Sequence, residues 1–507
     1  MAATGAGVSN EAQAHDALVK SFPERLGHPA PLWMLFMTEF WERFAFYGIR
    51  WALTLYVVAQ FYSGSGTGEA PANALYGAYL ALVYASGALG GYVADRFIGY
   101  QRSILLGAAI MAIGLFAIAI PDRHIFEFGL ATIIVGNGMF KPIISTMVGQ
   151  LYAQGDSRRD AGFTIFYMGI NLGAMISPWV TERLATLVFG TAAMPSYKIV
   201  FIASGIGMLL SLVWFWVGRH QMRGIGAPRA DQASLRNLTL VAVGALLLIP
   251  VVYALLALGG TVIAWILGVL FILLSTMLLI EGFRDGAVAR DKVIAMLIIF
   301  AFNVLFWMFF EQAGSSFNFL ADKIVDRLFG AWEFPVAWFQ SINSIAIVTL
   351  APLIAAGWVW LSKRNREPSI PRKFGLGLVF NGFAFLLLMY ALSHLVNVQN
   401  KIPFWTLAMV YVLQSVGELC LSPIGLSMVT KLAPKRFIGF AMGGWFLSVA
   451  NGNNLSGQFA AWVSGDTGMT TQSALYGYTW GFWSLVGSGA LLFLIAPLIG
   501  RLMHGVK

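Results

Sequence analysis

The sequence has one cysteine, Cys420, in 507 residues. That excludes an intramolecular disulfide and a cysteine-built metal centre, and leaves Cys420 as a small apolar residue. Charge is scarce too: Asp, Glu, Lys and Arg make up 11%, against about 25% in a soluble domain, which excludes an ordinary water-soluble globule. Acidic residues are fewer than basic ones, 23 against 32, for a net charge of +9. The basic residues are scattered in short clusters between apolar runs, without a basic face or aromatic interleaving, so nucleic acid is excluded as a partner. The six histidines fall in tails, loops or segment ends. Neither a metal-ligand set, a nucleotide-binding loop nor a nucleophile elbow is evident, so the reading is of a non-enzyme without metal or cofactor.

What is abundant is apolar. Hydrophobic residues make up 58%, and the mean hydropathy of +0.74 places the chain among polytopic, all-α membrane proteins. Gly, Pro, Ser and charge clusters divide it into about fourteen apolar segments of spanning length. With the N-terminus inside, 23 of the 32 lysines and arginines fall on inside loops and tails, 6 fall outside, and 3 (Arg43, Arg50 and Lys141) lie within spans. The asymmetry predicts both termini in the cytoplasm. The polar first stretch lacks a signal-peptide pattern. The expected organisation is a cytoplasmic tail 1–30, a six-helix bundle 31–217, a cytoplasmic linker 218–236, an accessory hairpin 237–283, a second six-helix bundle 284–500, and a tail 501–507.

The first apolar segment contains Glu39-Phe-Trp-Glu42-Arg43-Phe-Ala-Phe-Tyr47-Gly48-Ile-Arg50. Four ionisable side chains in hydrocarbon, each costing about 2.5–3.5 kcal/mol at a helix centre, demand partners or water. On a helix, Glu39, Arg43, Phe46, Tyr47 and Arg50 form one stripe about 16 Å long, with Glu42 at its edge. That face is expected to look into a polar cavity.

Other segments add to this. Gly90-Gly91-Tyr-Val-Ala-Asp95-Arg96-Phe-Ile-Gly99 ends the second segment; a Gly-rich helix end allows close helix approach, and Asp95 with Arg96 can pair differently in two conformations. Gly136-Asn137-Gly138-Met-Phe-Lys141-Pro142 places a lysine deep in a span, where Pro142 is expected to break the helix and turn the ammonium towards a cavity; a snorkelling lysine is the alternative. Asn171 in the fifth segment suits either a polar ligand or helix–helix bonding, and Tyr84 is a similar polar-tipped aromatic. Glu311 follows Trp307-Met-Phe-Phe, Gln340-Ser-Ile-Asn343 comes next, Glu418 precedes Ser422-Pro423, and Trp445 lies above Asn451, Asn453 and Asn454. Trp307 and Trp445 are read equally well as packing or as binding surface. A carboxylate in an apolar span changes its proton occupancy when a neighbouring cation moves, so Glu311 is expected to couple to protons.

Taken together, Glu39-x-x-Glu42-Arg43-Phe-x-Phe-Tyr47-Gly48, Gly91-x-x-x-Asp95, Phe140-Lys141-Pro142, Phe166-Tyr167-x-x-Ile170-Asn171-x-Gly173 and Glu418-Leu-x-x-Ser422-Pro423 resemble the proton-dependent oligopeptide transporter family of the major facilitator superfamily. The resemblance implies a symporter of di- and tripeptides in the bacterial inner membrane, driven by the proton gradient and functional as a monomer. It implies that Arg50 and Lys141 receive the peptide carboxylate, that Glu418 receives the ammonium, and that Asn171 and Asn343 contact the backbone. By the same resemblance Tyr47, Tyr84, Trp307 and Trp445 shape side-chain pockets, Glu39, Glu42, Arg43 and Glu311 couple protons, and Gly91, Asp95 and Arg96 gate. Two departures stand out: Phe46 where the family commonly has a second tyrosine, and Ile143 where an asparagine commonly follows the Lys-Pro pair. A carrier of nitrate or another small organic anion is the alternative, since it would use Arg50 and Lys141 but leave Glu418 without a partner.

Overall fold

Long runs of Leu, Ile, Val, Phe and Ala with their backbone polar groups paired internally can only be helices in hydrocarbon, and the computed structural model of the chain is built almost wholly from them. It describes residues 15–153 and 155–506, so the first part of the expected N-terminal tail and the last residue of the C-terminal one lie outside the described residues. The helices are α1 (Ala30–Phe61), α2 (Glu69–Val93), α3 (Tyr100–Ala117), α4 (Arg123–Gly149), α5 (Arg159–Arg183), α6 (Tyr197–Gly218), α7 (Leu235–Ala257), α8 (Gly260–Arg284), α9 (Ala287–Phe310), the short α10 (Ser316–Lys323), α11 (Trp338–Lys363), α12 (Ile370–His394), α13 (Phe404–Leu432), α14 (Ile438–Ser464) and α15 (Thr471–Leu502). Thirteen spans among the described residues are long and apolar enough to cross a membrane, with α9 and α10 counted together. The fourteenth expected segment is α14, whose Asn451, Asn453 and Asn454 lower its hydropathy.

The described residues pack as two compact units: 15–49 with 86–253, and 50–85 with 254–506. This grouping is not the sequential one expected from hydropathy. Residues 50–85 go with the C-terminal helices because their side chains are bonded there: Asn73 donates to Ala460 O and Ser464 Oγ, and Asn318 donates to Trp51 O and Thr54 Oγ1.

In the first unit, small residues let helices touch backbone to backbone. A Cβ at Gly90 would lie 1.9 Å from Gly138 O, and Gly107 and Gly114 meet α4 at Gly136 and Gly129. The expected close approach at the end of α2 is therefore made by Gly90; Gly91 has nothing within 4 Å of where its Cβ would be. The expected break at Pro142 is absent, since α4 runs unbroken from Arg123 to Gly149. Proline removes the bond to the carbonyl four residues back, and that carbonyl, Gly138 O, is the one packed under Gly90. The helix continues through the proline at the place where it packs on α2.

In the second unit the expected single span 293–320 is interrupted. Helix α9 ends at Phe310, a 3₁₀ turn runs Glu311–Gly314, and α10 follows. Ser316, Gln312 and Asn318 side chains close this break: Ser316 donates to Gln312 Oε1, and Gln312 donates to Met308 O and Ser456 O. Periodicity alone does not reveal a one-turn change of pitch inside an apolar run. Helix α8 is fastened to α14 by Asn451 and Asn454, which donate to Leu267 O and Gly260 O.

Candidate functional site

The N-terminal half of α1 carries a buried ion cluster. Arg43 is bound to Glu42 through Nε and, at 2.5 Å, through Nη2, and its Nε lies 3.3 Å from Glu39 Oε1. All three residues are 4% exposed or less. Two carboxylates on one guanidinium leave one formal negative charge, and further donors share it: Asn137 donates to Glu42 Oε1 at 3.4 Å, and Lys141 stands within electrostatic reach of Glu39. Ser177 and Ser211 fix α1 by donating to Phe44 O and Thr38 O. At Gly48 a Cβ would run into Ser204 Oγ, which explains why glycine follows Tyr47. Phe46 lies under both cations, with Arg43 Cζ 4.9 Å and Lys141 Nζ 5.9 Å from its ring centre, and meets Tyr47 edge-on. Asn171 is buried and donates to Tyr167 O in its own helix.

Near the linker, Asp95 and Arg96 are exposed, and Asp95 acts through its main-chain carbonyl, which accepts from Arg229 and Gln232. Arg102 donates to Gln232 O and Ala233 O, while Gln101 donates to Ile225 O. The end of α2, the start of α3 and the linker thus form one bonded piece. The N-terminal segment is tied nearby: Arg158 binds Glu24 and Asp156, and His28 shares a hydrogen bond with Tyr152. The Arg158 guanidinium holds the Asp156 carboxyl below the usual carboxylate range, and burial pushes the Tyr152 hydroxyl up to about 12.

The second unit holds the other group of charges, around the break after α9. Arg50 donates through Nη2 to Glu311 Oε2 at 2.8 Å and through Nε to the Tyr76 hydroxyl at 3.2 Å. Arg50, Glu311 and Tyr76 are 6, 6 and 1% exposed, a setting in which a buried charge is tolerated only when paired. Glu418 on α13 lies within electrostatic reach of both Arg50 and Glu311. Its Oε2 accepts from Asn343 at 3.3 Å, and Asn343 also donates to Ser415 Oγ at 2.8 Å. Gln340 and Tyr411 hold the break itself by donating to Ala313 O. Trp307 donates to Asn303 Oδ1, which lies beside Ser448 of α14. Trp445 is 4% exposed, with its ring over Gly425 and packed against Phe300 and Phe374. Tyr84, also in this unit, is half-buried.

The expected residues therefore gather in two groups: Glu39, Glu42, Arg43, Tyr47, Lys141 and Asn171 in the first unit, and Arg50, Glu311, Glu418, Asn343, Trp307 and Trp445 in the second. Tyr76, Asn137, Ser415 and Gly314 were not singled out from the sequence. Asn137 carried a signal, a polar amide one turn before Lys141 between two glycines; Tyr76 carried none, since the chain separates it from Arg50 by 26 residues.

Buried ion pairs and a discontinuous helix within a bundle of membrane spans define an integral membrane carrier rather than a structural scaffold. The model of the POT family matches residues 101–476. The peptide transporter YePEPT of Yersinia enterocolitica is 34% identical over 95% of this chain and 96% of its own length. The dipeptide and tripeptide permease B of the same species is 32% identical over 88% of each. Among solved structures, a mutant of the peptide transporter POT in complex with alafosfalin is 34% identical and superposes with a TM-score of 0.83 over 97% of this chain and 99% of that one. The chain belongs to the POT family, with the major facilitator fold.

Proposed function

We propose that this protein carries di- and tripeptides together with protons into the cell by alternating access. In this reading it sits in the bacterial cytoplasmic membrane with both termini in the cytoplasm, works as a monomer, and performs no covalent chemistry. A zwitterionic peptide needs cations at one end and an anion at the other; Arg50 and Lys141 take its carboxylate, and Glu418 takes its ammonium. Asn343 and Asn171 meet the backbone, with Tyr47, Tyr84, Trp307 and Trp445 around the side chains. Glu39, Glu42 and Arg43 serve proton transfer, and Gly91, Asp95 and Arg96 serve the conformational change.

What carries the reading is the buried Arg50–Glu311 pair at 2.8 Å. An ionised Glu311 occupies the guanidinium; a protonated one releases it for a substrate carboxylate, so proton and peptide bind cooperatively. The names of the relatives, a peptide transporter and a dipeptide and tripeptide permease, support the substrate class. A driving force of about 2.3 kcal/mol per charge per 100 mV and about 1.4 kcal/mol per pH unit supports roughly hundredfold accumulation at modest gradients. The test is uptake of labelled dialanine into proteoliposomes with and without an imposed pH gradient. Gradient-driven accumulation by the wild type and its loss in Glu311→Gln are expected. Accumulation by Glu311→Gln equal to wild type overturns the coupling role, and uptake of nitrate without competition by dialanine favours the anion carrier.

A further inference from the structure

Glu311 sits in the one-turn break between α9 and α10, and the groups that face it are Arg50 of α1, Tyr76 of α2, and Tyr411 and Glu418 of α13. Of these, Tyr76 shares the Arg50 guanidinium with Glu311. It is 1% exposed, and a Cβ on residue 314 would lie 2.0 Å from its hydroxyl and 2.4 Å from its Cζ. Glycine at 314 therefore makes room for the phenol beside the same turn that presents Glu311. From that seat the hydroxyl accepts from Arg50 Nε, while Nη2 of the same guanidinium binds the carboxylate. With Glu311 ionised the planar guanidinium is held at two of its corners, and with Glu311 protonated the bond at Nε is the one that remains. The acceptor at Nε is neutral, so it stays in place whether Glu311 is charged or not.

We propose that Tyr76, seated against Gly314, is a positioning residue for proton coupling: it keeps the Arg50 guanidinium aimed at one spot when Glu311 takes up its proton. This deepens the proton-coupled reading above and rests on it. With Glu311 ionised, the fixed cation favours the carboxylate; with Glu311 protonated, the cation remains pointed for the incoming carboxylate instead of swinging to another acceptor. Loss of the hydroxyl makes the cation mobile in both states. Glu311 then faces a less fixed counter-charge, and the peptide carboxylate meets a less organised partner.

The test pairs a substrate-free measurement with transport. In the full-length protein in detergent, the infrared carboxylate band that disappears in Glu311→Gln is titrated against pH for wild type, Tyr76→Phe and Gly314→Ala. Tyr76→Phe, which keeps the ring, is expected to move the midpoint up by about one pH unit, the size of a hydrogen bond to a charged group. Gly314→Ala, which displaces the hydroxyl by its added methyl, is expected to move it in the same direction, and the double variant no further than the larger single effect. In proteoliposomes, Tyr76→Phe is expected to raise KM for dialanine about fivefold and shift the pH profile of uptake the same way. An unchanged infrared midpoint in a monodisperse Tyr76→Phe protein overturns the positioning role, whatever the transport result. Wild-type protein that takes up no dialanine overturns the transport reading instead, and leaves the titration to decide on Tyr76.

Discussion

Asn343 donates one amide hydrogen to Glu418 Oε2 and one to Ser415 Oγ, and Ser415 in turn donates to Tyr411 O. Glu418 is thereby held beside Ser415 of its own helix through a neutral amide, Asn343. Glu418→Gln keeps the shape and the hydrogen bond but removes the charge. Uptake of dialanine is expected to fall by about tenfold or more, while competition by N-acetylated dialanine, which lacks the ammonium, is expected to differ little between variant and wild type. Equal losses for both peptides would count against ammonium recognition at Glu418.

The ring of Phe46 lies beneath Arg43 and Lys141. A cation over a desolvated aromatic face is worth about 2 kcal/mol, of which only part bears on KM. Phe46→Leu is expected to raise KM for dialanine by about two- to fivefold, whereas Phe46→Tyr keeps the face and is expected to leave KM within about twofold. Ranking a set of dipeptides by competition would show whether the added hydroxyl changes side-chain preference.

Glu69 is fully buried at the start of α2, where it accepts from Lys323 at the end of α10 and from Met469 N at 2.8 Å. Glu69→Ala removes both acceptors at once and is expected to cost about 3 kcal/mol, read as a lower thermal midpoint in micelles. Lys323 is 38% exposed in its side chain, so Lys323→Ala is expected to cost less. Equal destabilisation by the two would show that the lysine, not the main-chain amide, carries the contact.

Asp156 offers a pH test on the membrane surface. Its carboxyl is held below the ordinary value of 3.8 by Arg158. A depressed acid stabilises the fold above its unfolded pKa and loses that contribution as pH falls through the folded one. The Arg158 side chain is 42% exposed, so solvent screens the pair and the contribution is small. Between pH 5 and 3 the thermal midpoint of wild type is expected to drop slightly more than that of Asp156→Asn, with no difference in slope between pH 6 and 8.

Much of this was legible in the chain. Glu39, Glu42 and Arg43 declared themselves because ionisable groups within four residues of a long apolar run have only one another as partners, and they do bind one another. Glu311 and Arg50 were each legible for the same reason, and their pairing was a natural guess from opposite sign. The unbroken course of α4 through Pro142 was not legible, because it goes with Gly90 lying against Gly138 O from another helix. Nor was the break at Glu311–Gly314, where Gln312, Ser316 and Asn318 exchange bonds with segments far away in the chain. Local pattern reports which groups need partners; only packing says which distant residue supplies them.

The three amides on α14 that meet α8 set a condition on any shortened version of the chain. Asn451 and Asn454 donate to α8 carbonyls, and the Gln458 side-chain nitrogen fills the space where a Cβ on residue 260 would stand. Excising the hairpin while keeping those residues would leave Asn454 and Gln458 without their α8 contacts against acyl chains, and Asn451 with only its bond to Leu447 O in its own helix. A twelve-span derivative made by removing α7 and α8 would therefore need apolar replacements at 451, 454 and 458 as well, and would aggregate without them.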